Sequence, residues 1–150
     1  MTTTSIPATV GTDLQDTLVE LTDLHLQAKQ LHWNVKGRHF RNVHLHLDEL
    51  TSIAREAADT VAERAVTIGF PPDARAMTVA KNSPLPDAVE GRITDAAAVD
   101  HVVALLTVIT DRLRERIVRI ADMDPVSQDM LIGVATDLEK QLWMFSAQQG

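Results

Sequence analysis

Apolar residues recur every three to four positions along four stretches of the chain, which is the spacing of amphipathic α-helices. The predicted helices cover residues 12–35, 39–68, 94–120 and 124–145. Gly11 or Thr12 would cap the first helix and Gly37 would end it. Thr94 is a good cap for the third, and Pro125 fits the first turn of the fourth.

The connections between these helices predict the topology. Short turns join the first helix to the second and the third to the fourth, so each pair must be antiparallel. Residues 69–94 hold four of the six prolines and form a long connection, with one helical turn near residues 77–81. The pattern predicts a single all-α domain over residues 1–150, a ferritin-like four-helix bundle with one long crossover, preceded by a flexible tail of residues 1–11.

Composition and charge narrow the classes of function. The 150 residues include no cysteine, so disulfides and thiolate metal sites are excluded. The start of the chain resembles no secretory signal, and no apolar run is long enough to span a membrane, so we expect a cytoplasmic protein. The net charge of −7 and the lack of basic residues before Lys29 or within residues 146–150 argue against a DNA-binding tail.

Two pairs of candidate metal ligands lie on one face of the second predicted helix. His44 and Asp48 are four residues apart. Asp59 and Glu63 have the same spacing. All four lie within a sector of about 100°, but about 16 Å of helix separates the two pairs. One chain cannot use both pairs in one small site. An antiparallel copy, related by a two-fold axis near Ile53, would bring one pair opposite the other, which predicts a site shared by two subunits.

The residue types limit the metal and the kind of site. Carboxylates with one or two imidazoles suit Fe(II), Mn(II) or Zn(II) and leave positions open for an oxidant or water. Ferritin-like di-iron bundles carry Glu-x-x-His on two helices, and no glutamate here is followed by a histidine at that spacing. The sequence therefore argues against a di-iron site inside one bundle.

The same residues also have a structural interpretation that needs no metal. Both pairs would then be solvated side chains on a helix surface, where Arg64 pairs with a carboxylate. Trp33 and Trp143 would be packing residues, and His32 would satisfy polar groups at a turn.

A histidine-tryptophan motif closes the first predicted helix and precedes the spaced ligands of the second. The run is His32-Trp33-Asn34-Val35-Lys36-Gly37, with Phe40 after it, and the last helix contains Asp-Leu-Glu-Lys-Gln-Leu-Trp at residues 137–143. Together with the helix order and the crossover position, these residues resemble the Dps family (DNA-binding proteins from starved cells) over the whole chain.

The resemblance implies an assembly, an activity and a set of ligands. Dps proteins form hollow shells of twelve subunits, oxidise Fe(II), preferentially with hydrogen peroxide, and store the ferric product inside. This implies a ferroxidase that protects the cell from oxidative damage, with one or two irons per site. The ligands would be His32, His44 and Asp48 of one subunit and Asp59 and Glu63 of its two-fold partner.

The resemblance and the charge pattern point to further residues. Trp33 lies where the family keeps a tryptophan near the site, and Arg64 would orient a ligand carboxylate. Asp122, Asp124 and Asp129 are candidates for a carboxylate ring around a three-fold axis through which iron would enter. Asp124 is also a natural helix cap, so a structural interpretation of this group stays open.

Two other functions compete with the ferroxidase. One is a DNA-condensing nucleoid protein with secondary iron chemistry, against which the missing basic tails argue. The other is a structural shell whose ligand pairs bind zinc or another ion without turnover. Peroxide-dependent iron oxidation distinguishes the ferroxidase from the structural shell.

Overall fold

The computed structural model describes residues 5–150. Over these residues the chain forms five α-helices and two short β-strands: α1 (Ala8–Asn34), β1 (Val35–Lys36), α2 (Phe40–Thr67), α3 (Ala76–Asn82), β2 (Ile93–Thr94), α4 (Asp95–Arg119) and α5 (Pro125–Ser146). The main packing partners are α1 with α2 and α4 with α5. The segment between α2 and α4 carries only the short α3. The predicted four-helix bundle with one long crossover is confirmed.

The predicted apolar stripes form the core between the four long helices. Fully buried members come from every long helix: Leu14, Leu21 and Leu24 of α1, Leu47 and Leu50 of α2, Leu105, Ile109 and Leu113 of α4, and Leu131, Leu138 and Phe145 of α5. Burying each such side chain contributes about 1.5–3 kcal/mol relative to leaving it in water. Because these stripes face inward, the polar face of α2 lies outward.

The arginine-rich end of α4 is tied to α1 by ion pairs with two buried carboxylates. Arg116 donates to Glu20 at 2.5 and 2.7 Å, and these two side chains are 2% and 1% exposed. Arg112 also donates to Glu20, and Arg119 donates to Asp13. A buried carboxylate is costly unless it is paired and hydrogen-bonded. The arginines therefore serve the fold here.

The start of α1 differs from the sequence prediction. The helix begins at Ala8, directly after Pro7, so the predicted cap at Gly11 or Thr12 is wrong. Gly11 is buried inside the helix, where its missing side chain leaves room for the ring of Phe70 from the crossover. This contact stabilises an extra turn. Of the predicted flexible tail, residues 8–11 are helical, and residues 1–4 lie outside the described residues.

Other predicted boundaries agree closely with the structure. The helical turn expected near residues 77–81 is α3. Thr94 caps α4, because its hydroxyl accepts from the backbone N–H of Ala97. Pro125 lies in the first turn of α5. In the described part of the chain, none of the helices is long and apolar enough to cross a membrane.

Gly37 closes the turn between α1 and α2. Its φ of +136° favours glycine, and a Cβ atom there would lie 2.6 Å from the carboxyl group of Asp95. That carboxylate accepts from the backbone N–H groups of His39 and Ala96, at 2.7 and 2.8 Å. The start of α2 is thus tied to the start of α4. This fixes the turn that brings His32 and His44 together.

Candidate metal centre

Two histidines face each other where α1 ends and α2 begins. The rings of His32 and His44 stack with their centroids 3.7 Å apart and their planes 14° from parallel. Phe40 also stacks on His44, with centroids 4.8 Å apart. His32 is buried and His44 is partly exposed. The pair is therefore rigidly packed but still borders solvent.

Each of these histidines is held through the same ring nitrogen. Nδ1 of His32 lies 2.7 Å from the carbonyl oxygen of His44, and Nδ1 of His44 lies 2.7 Å from the carbonyl oxygen of His32. A carbonyl oxygen can only accept, so each Nδ1 carries the hydrogen and donates it. In a neutral ring the lone pair is then on Nε2. A ring fixed through Nδ1 by a carbonyl is the usual arrangement of a histidine that binds metal through Nε2.

Asp48 lies beside this pair and is held by Lys29. The Lys29 Nζ atom is 2.5 Å from Oδ1 of Asp48. This hydrogen bond, together with the charges of Lys29, His32 and His44, holds the pKa of the Asp48 carboxyl below its usual value. The side chain is 49% exposed. Asp48 is therefore an ionised carboxylate that solvent ions can reach.

Asp59 and Glu63 lie one helical turn apart in the second half of α2, and both are exposed. About 16 Å of helix separates them from the His44–Asp48 pair. Within residues 5–150, no three His, Cys, Asp or Glu side chains converge closely enough to hold a metal ion. The structure brings His32, His44 and Asp48 together as neighbours and leaves the second pair apart from them.

Open surface borders both halves of the candidate site. A groove of 440 Å³ runs beside Asp48 between α1 and α2, and Trp33 and Arg55 are among the residues that line it. A second groove, of 410 Å³ and largely apolar, lies beside Glu63 and includes Val66. Val66 is 59% exposed. Each half could therefore accept another molecule, including a second copy of the chain.

The outward face of α2 is also exposed to solvent near residues 53 and 54, where the predicted two-fold axis would cross the helix. Ala54 is fully buried in the bundle core, but Ser52 and Arg55 are exposed. At about 100° per residue, Ser52 and Arg55 lie in the same sector of the helix as the two ligand pairs. An antiparallel copy could therefore lie along this face without disturbing the core.

Both tryptophans lie on the surface of the chain. Trp33 is 63% exposed and Trp143 is 67% exposed. The interpretation of these side chains as packing residues is therefore wrong within one chain. Trp33 follows His32 and lines the groove beside Asp48, so it lies near the candidate site.

Arg64 and Asp124 form one polar cluster between α2 and α5. Arg64 donates to Asp124 at 2.8 Å and to the hydroxyl of Ser127 at 2.9 Å. Burial raises the pKa of the Asp124 carboxyl, but the hydrogen bonds from Ser127 and Arg64 outweigh burial and lower it overall. Arg64 therefore fixes the start of α5, and its partner carboxylate is that of Asp124.

The three candidate pore residues differ in their surroundings. Asp124 is 6% exposed and its charge is balanced by Arg64, which favours the structural interpretation of this residue. Asp122 and Asp129 are exposed near the turn between α4 and α5. A carboxylate ring around a three-fold axis therefore remains a prediction for these two residues.

Lys29 is a residue of the candidate site that the sequence analysis above does not identify. It lies three residues before His32 on α1, so both side chains share one helix face, and that spacing was a usable signal. Its partner Asp48 lies on another helix, and only the folded bundle reveals that contact.

Comparison with known proteins places this architecture in a family. Residues 12–150 match a family described as the ferritin-like domain. The DNA protection during starvation protein of Mycolicibacterium smegmatis is 36% identical over 134 residues, which cover 89% of this chain and 73% of that protein. The chain belongs to the Dps family. A second Dps relative, DNA protection during starvation protein 2 of Deinococcus radiodurans, is 34% identical over 134 residues, or 89% of this chain.

The likeness to Dps proteins extends to three-dimensional structure. A solved structure of Dps from Microbacterium arborescens, described as its high iron form, superposes with a TM-score of 0.92 at 27% identity, covering 98% of this chain and 96% of that one. The Deinococcus relative is longer than this chain, which spans 56% of its length. The shared part is thus the ferritin-like Dps domain itself.

Proposed function

We propose that this chain is a cytoplasmic iron-storage protein that oxidises Fe(II) with hydrogen peroxide at sites shared between two subunits. The observation that carries the proposal is the reciprocal bonding of His32 and His44. Both rings have Nδ1 fixed by a carbonyl oxygen, which leaves Nε2 of each for a metal ion. An ionised carboxylate, Asp48, lies beside them. The solved Dps structure described as a high iron form supports iron as the metal.

The second half of the site would come from another subunit. Asp59 and Glu63 are exposed on the same face of α2, about 16 Å away along the axis. A two-fold axis near residues 53 and 54 would place the partner's Asp59 and Glu63 opposite His44 and Asp48. The open grooves beside Asp48 and Glu63 are where that partner would pack.

The ligand chemistry favours oxidation of Fe(II), which is the substrate. Carboxylate oxygens stabilise Fe(III) more strongly than Fe(II), which lowers the reduction potential and makes the electron easier to remove. Two Fe(II) ions each lose one electron, the O–O bond of one hydrogen peroxide breaks, and two hydroxide ions form. Because both electrons go to one peroxide, no hydroxyl radical needs to be released.

A closed shell would turn this oxidation into storage. We propose twelve subunits, with the ferric product deposited as hydrated oxide on the acidic inner surface. Asp122 and Asp129 are exposed and would focus Fe(II) toward a three-fold opening. Such a shell removes iron and peroxide together and so protects the cell from oxidative damage.

The test is the kinetics of iron oxidation by purified, metal-free protein. Fe(II) is added without oxygen, peroxide follows, and ferric absorbance is recorded together with hydroxyl-radical trapping. We expect rapid oxidation, suppressed radical and iron that stays in solution. Oxidation no faster than in buffer, with radical formed, would contradict the proposal and favour a structural shell that holds zinc or another ion.

A matched pair of histidine variants separates the site from general damage. His44→Ala should lower the rate toward that of buffer, because it removes a ligand nitrogen. His101→Ala should leave the rate unchanged, because this histidine donates to Gln27 at 2.8 Å between α4 and α1, away from the site. Equal loss in both variants would mean that the candidate ligands are not specific to the reaction.

A further inference from the structure

Lys29 forms an ion pair with Asp48, whose carboxylate the proposed site would use to bind a metal ion. On α1 it lies one helical turn before His32, and its partner Asp48 lies one turn after His44 on α2. The Nζ–Oδ1 distance is 2.5 Å. The ammonium group therefore neutralises the same carboxylate whose charge a metal ion bound to Asp48 would neutralise.

The Lys29–Asp48 ion pair can break at low cost, which would allow a metal ion to replace Lys29 as the partner of Asp48. The two side chains are 34% and 49% exposed, and ion pairs that contact water stabilise a fold only weakly. A lysine ammonium is a compact charge on a flexible four-carbon chain, so it can turn away into the adjoining groove. This contrasts with the buried Glu20–Arg116 pair, which is almost closed to solvent.

We propose that Lys29 is an internal cation that neutralises Asp48 in the metal-free protein and is displaced when a divalent metal ion binds. This inference rests on the proposed function. Lys29 is a positioning residue, since it acts through the carboxylate of Asp48. Its ammonium competes with the incoming metal ion for the Asp48 carboxylate, so it lowers the affinity of the metal position that Asp48 serves. The same competition discriminates against ions that attract a carboxylate no better than an ammonium does.

If Lys29 competes with the metal ion, its replacement should change the metal affinity in the direction opposite to that expected for a purely structural lysine. Replacing Lys29 with an uncharged side chain of similar length removes the competitor and one repelling charge. Metal affinity should then rise, by about tenfold for a charge pair of this exposure. A purely structural lysine would behave differently, because its loss would loosen Asp48 and lower the affinity.

The experiment titrates the assembled, metal-free protein with Co²⁺, followed by calorimetry and by the absorption of the bound ion. We expect Lys29→Met to bind about tenfold more tightly than wild type. Lys29→Arg should bind no more tightly than wild type, because a guanidinium keeps the charge and holds a carboxylate through two bonds. Lys81→Met, which removes an exposed lysine of α3, should match wild type.

The outcomes separate this inference from the proposed function. If Co²⁺ binding is abolished by His44→Ala but Lys29→Met binds equally or more weakly, the inference is wrong and the site stands. If wild type does not bind Co²⁺, or binds it regardless of His44, both are wrong. Lys29→Gln provides a second uncharged variant should Lys29→Met fail to assemble, and it must show the same gain.

Discussion

His32 and His44 each use one ring nitrogen to hold the other residue's backbone, and this arrangement gives the candidate site its rigidity. Stacked rings 3.7 Å apart cannot turn independently, and the two Nδ1 bonds fix the tautomer. The entropy cost of ordering the ligands is therefore met during folding, before any ion binds. Such preorganisation would favour ion binding at the proposed metal site.

Single residues of this site were only partly predictable from the sequence. The helical spacing of His44, Asp48, Asp59 and Glu63 follows from periodicity alone. The reciprocal bonds of His32 and His44 do not, because they depend on the path of the turn through Gly37. The partner of Asp124 is Arg64, sixty residues earlier in the chain. No local pattern reveals such a contact.

The turn at Gly37 carries a stability prediction. Gly37→Ala should destabilise the fold by about 1–3 kcal/mol, because a Cβ atom at φ +136° would meet the Asp95 carboxylate. Gly133→Ala is the matched control. No atom lies within 4 Å of its added Cβ, and alanine is the better helix former by about 1 kcal/mol.

Urea unfolding of the two glycine variants measures the difference. We expect a lower unfolding midpoint for Gly37→Ala and an equal or higher midpoint for Gly133→Ala. Equal midpoints in both variants would show that the Gly37 turn is not constrained as the structure indicates.

At the scale of whole elements, the sequence predicted most of what the bundle shows. The four long helices, the short α3, the cap at Thr94 and the start of α5 at Pro125 all follow from periodicity and from turn residues. The start of α1 does not, because the extra turn depends on Phe70 of the crossover packing over Gly11. A tertiary contact there overrides the local capping signal.

The link between α2 and α5 predicts a pH-dependent contribution to stability. The Arg64 and Asp124 side chains are 19% and 7% exposed, so Arg64→Met should cost about 3 kcal/mol near neutral pH by leaving a buried carboxylate without its partner. The pKa of Asp124 in the folded chain lies below its ordinary value. Its stabilisation is therefore complete above about pH 4 and is lost as the pH falls through that lowered pKa.

The exposed pair between α4 and α5 is the control. Arg114 and Glu139 are 69% and 35% exposed, so Arg114→Met should destabilise the fold far less than Arg64→Met does, because water screens an exposed pair. Chemical denaturation of both variants between about pH 3 and pH 7 tests the contrast. An equal cost for the two variants, or a cost of Arg64→Met that grows as the medium becomes acidic, would refute this assignment.

At the scale of the whole molecule, the surface argues against DNA binding. The chain carries a net charge of −7, and the arginine-rich end of α4 is taken up by ion pairs with Asp13, Glu20 and Glu139. A shell of twelve such chains would be strongly anionic and would repel a phosphate backbone.

We therefore expect no retained complex when this chain is mixed with duplex DNA in a gel-shift experiment at about 0.15 M salt. A retained complex would contradict the expectation. Its loss on replacing the exposed Lys36, Arg38 and Arg41 by neutral residues would place the contact at the turn between α1 and α2.

Large exposed side chains mark the surfaces where subunits would pack against one another. Trp33, Val66 and Trp143 are large, exposed side chains, and surfaces of this kind are typical of subunit interfaces. We expect neighbouring subunits to cover them. The structural interpretation of the tryptophans as packing residues fits an interface between chains but not the core of one chain.

The most direct test of a shared site is mixed assembly of two inactive variants. His44→Ala and Asp59→Ala should each abolish peroxide-dependent Fe(II) oxidation when assembled alone. Random mixing gives interfaces in which one of the two sites takes its histidine from one variant and its carboxylates from the other. About a quarter of all sites are then intact, so we predict recovery of about a quarter of wild-type activity. No recovery, with mixed shells verified by mass spectrometry, would contradict a site built from two subunits.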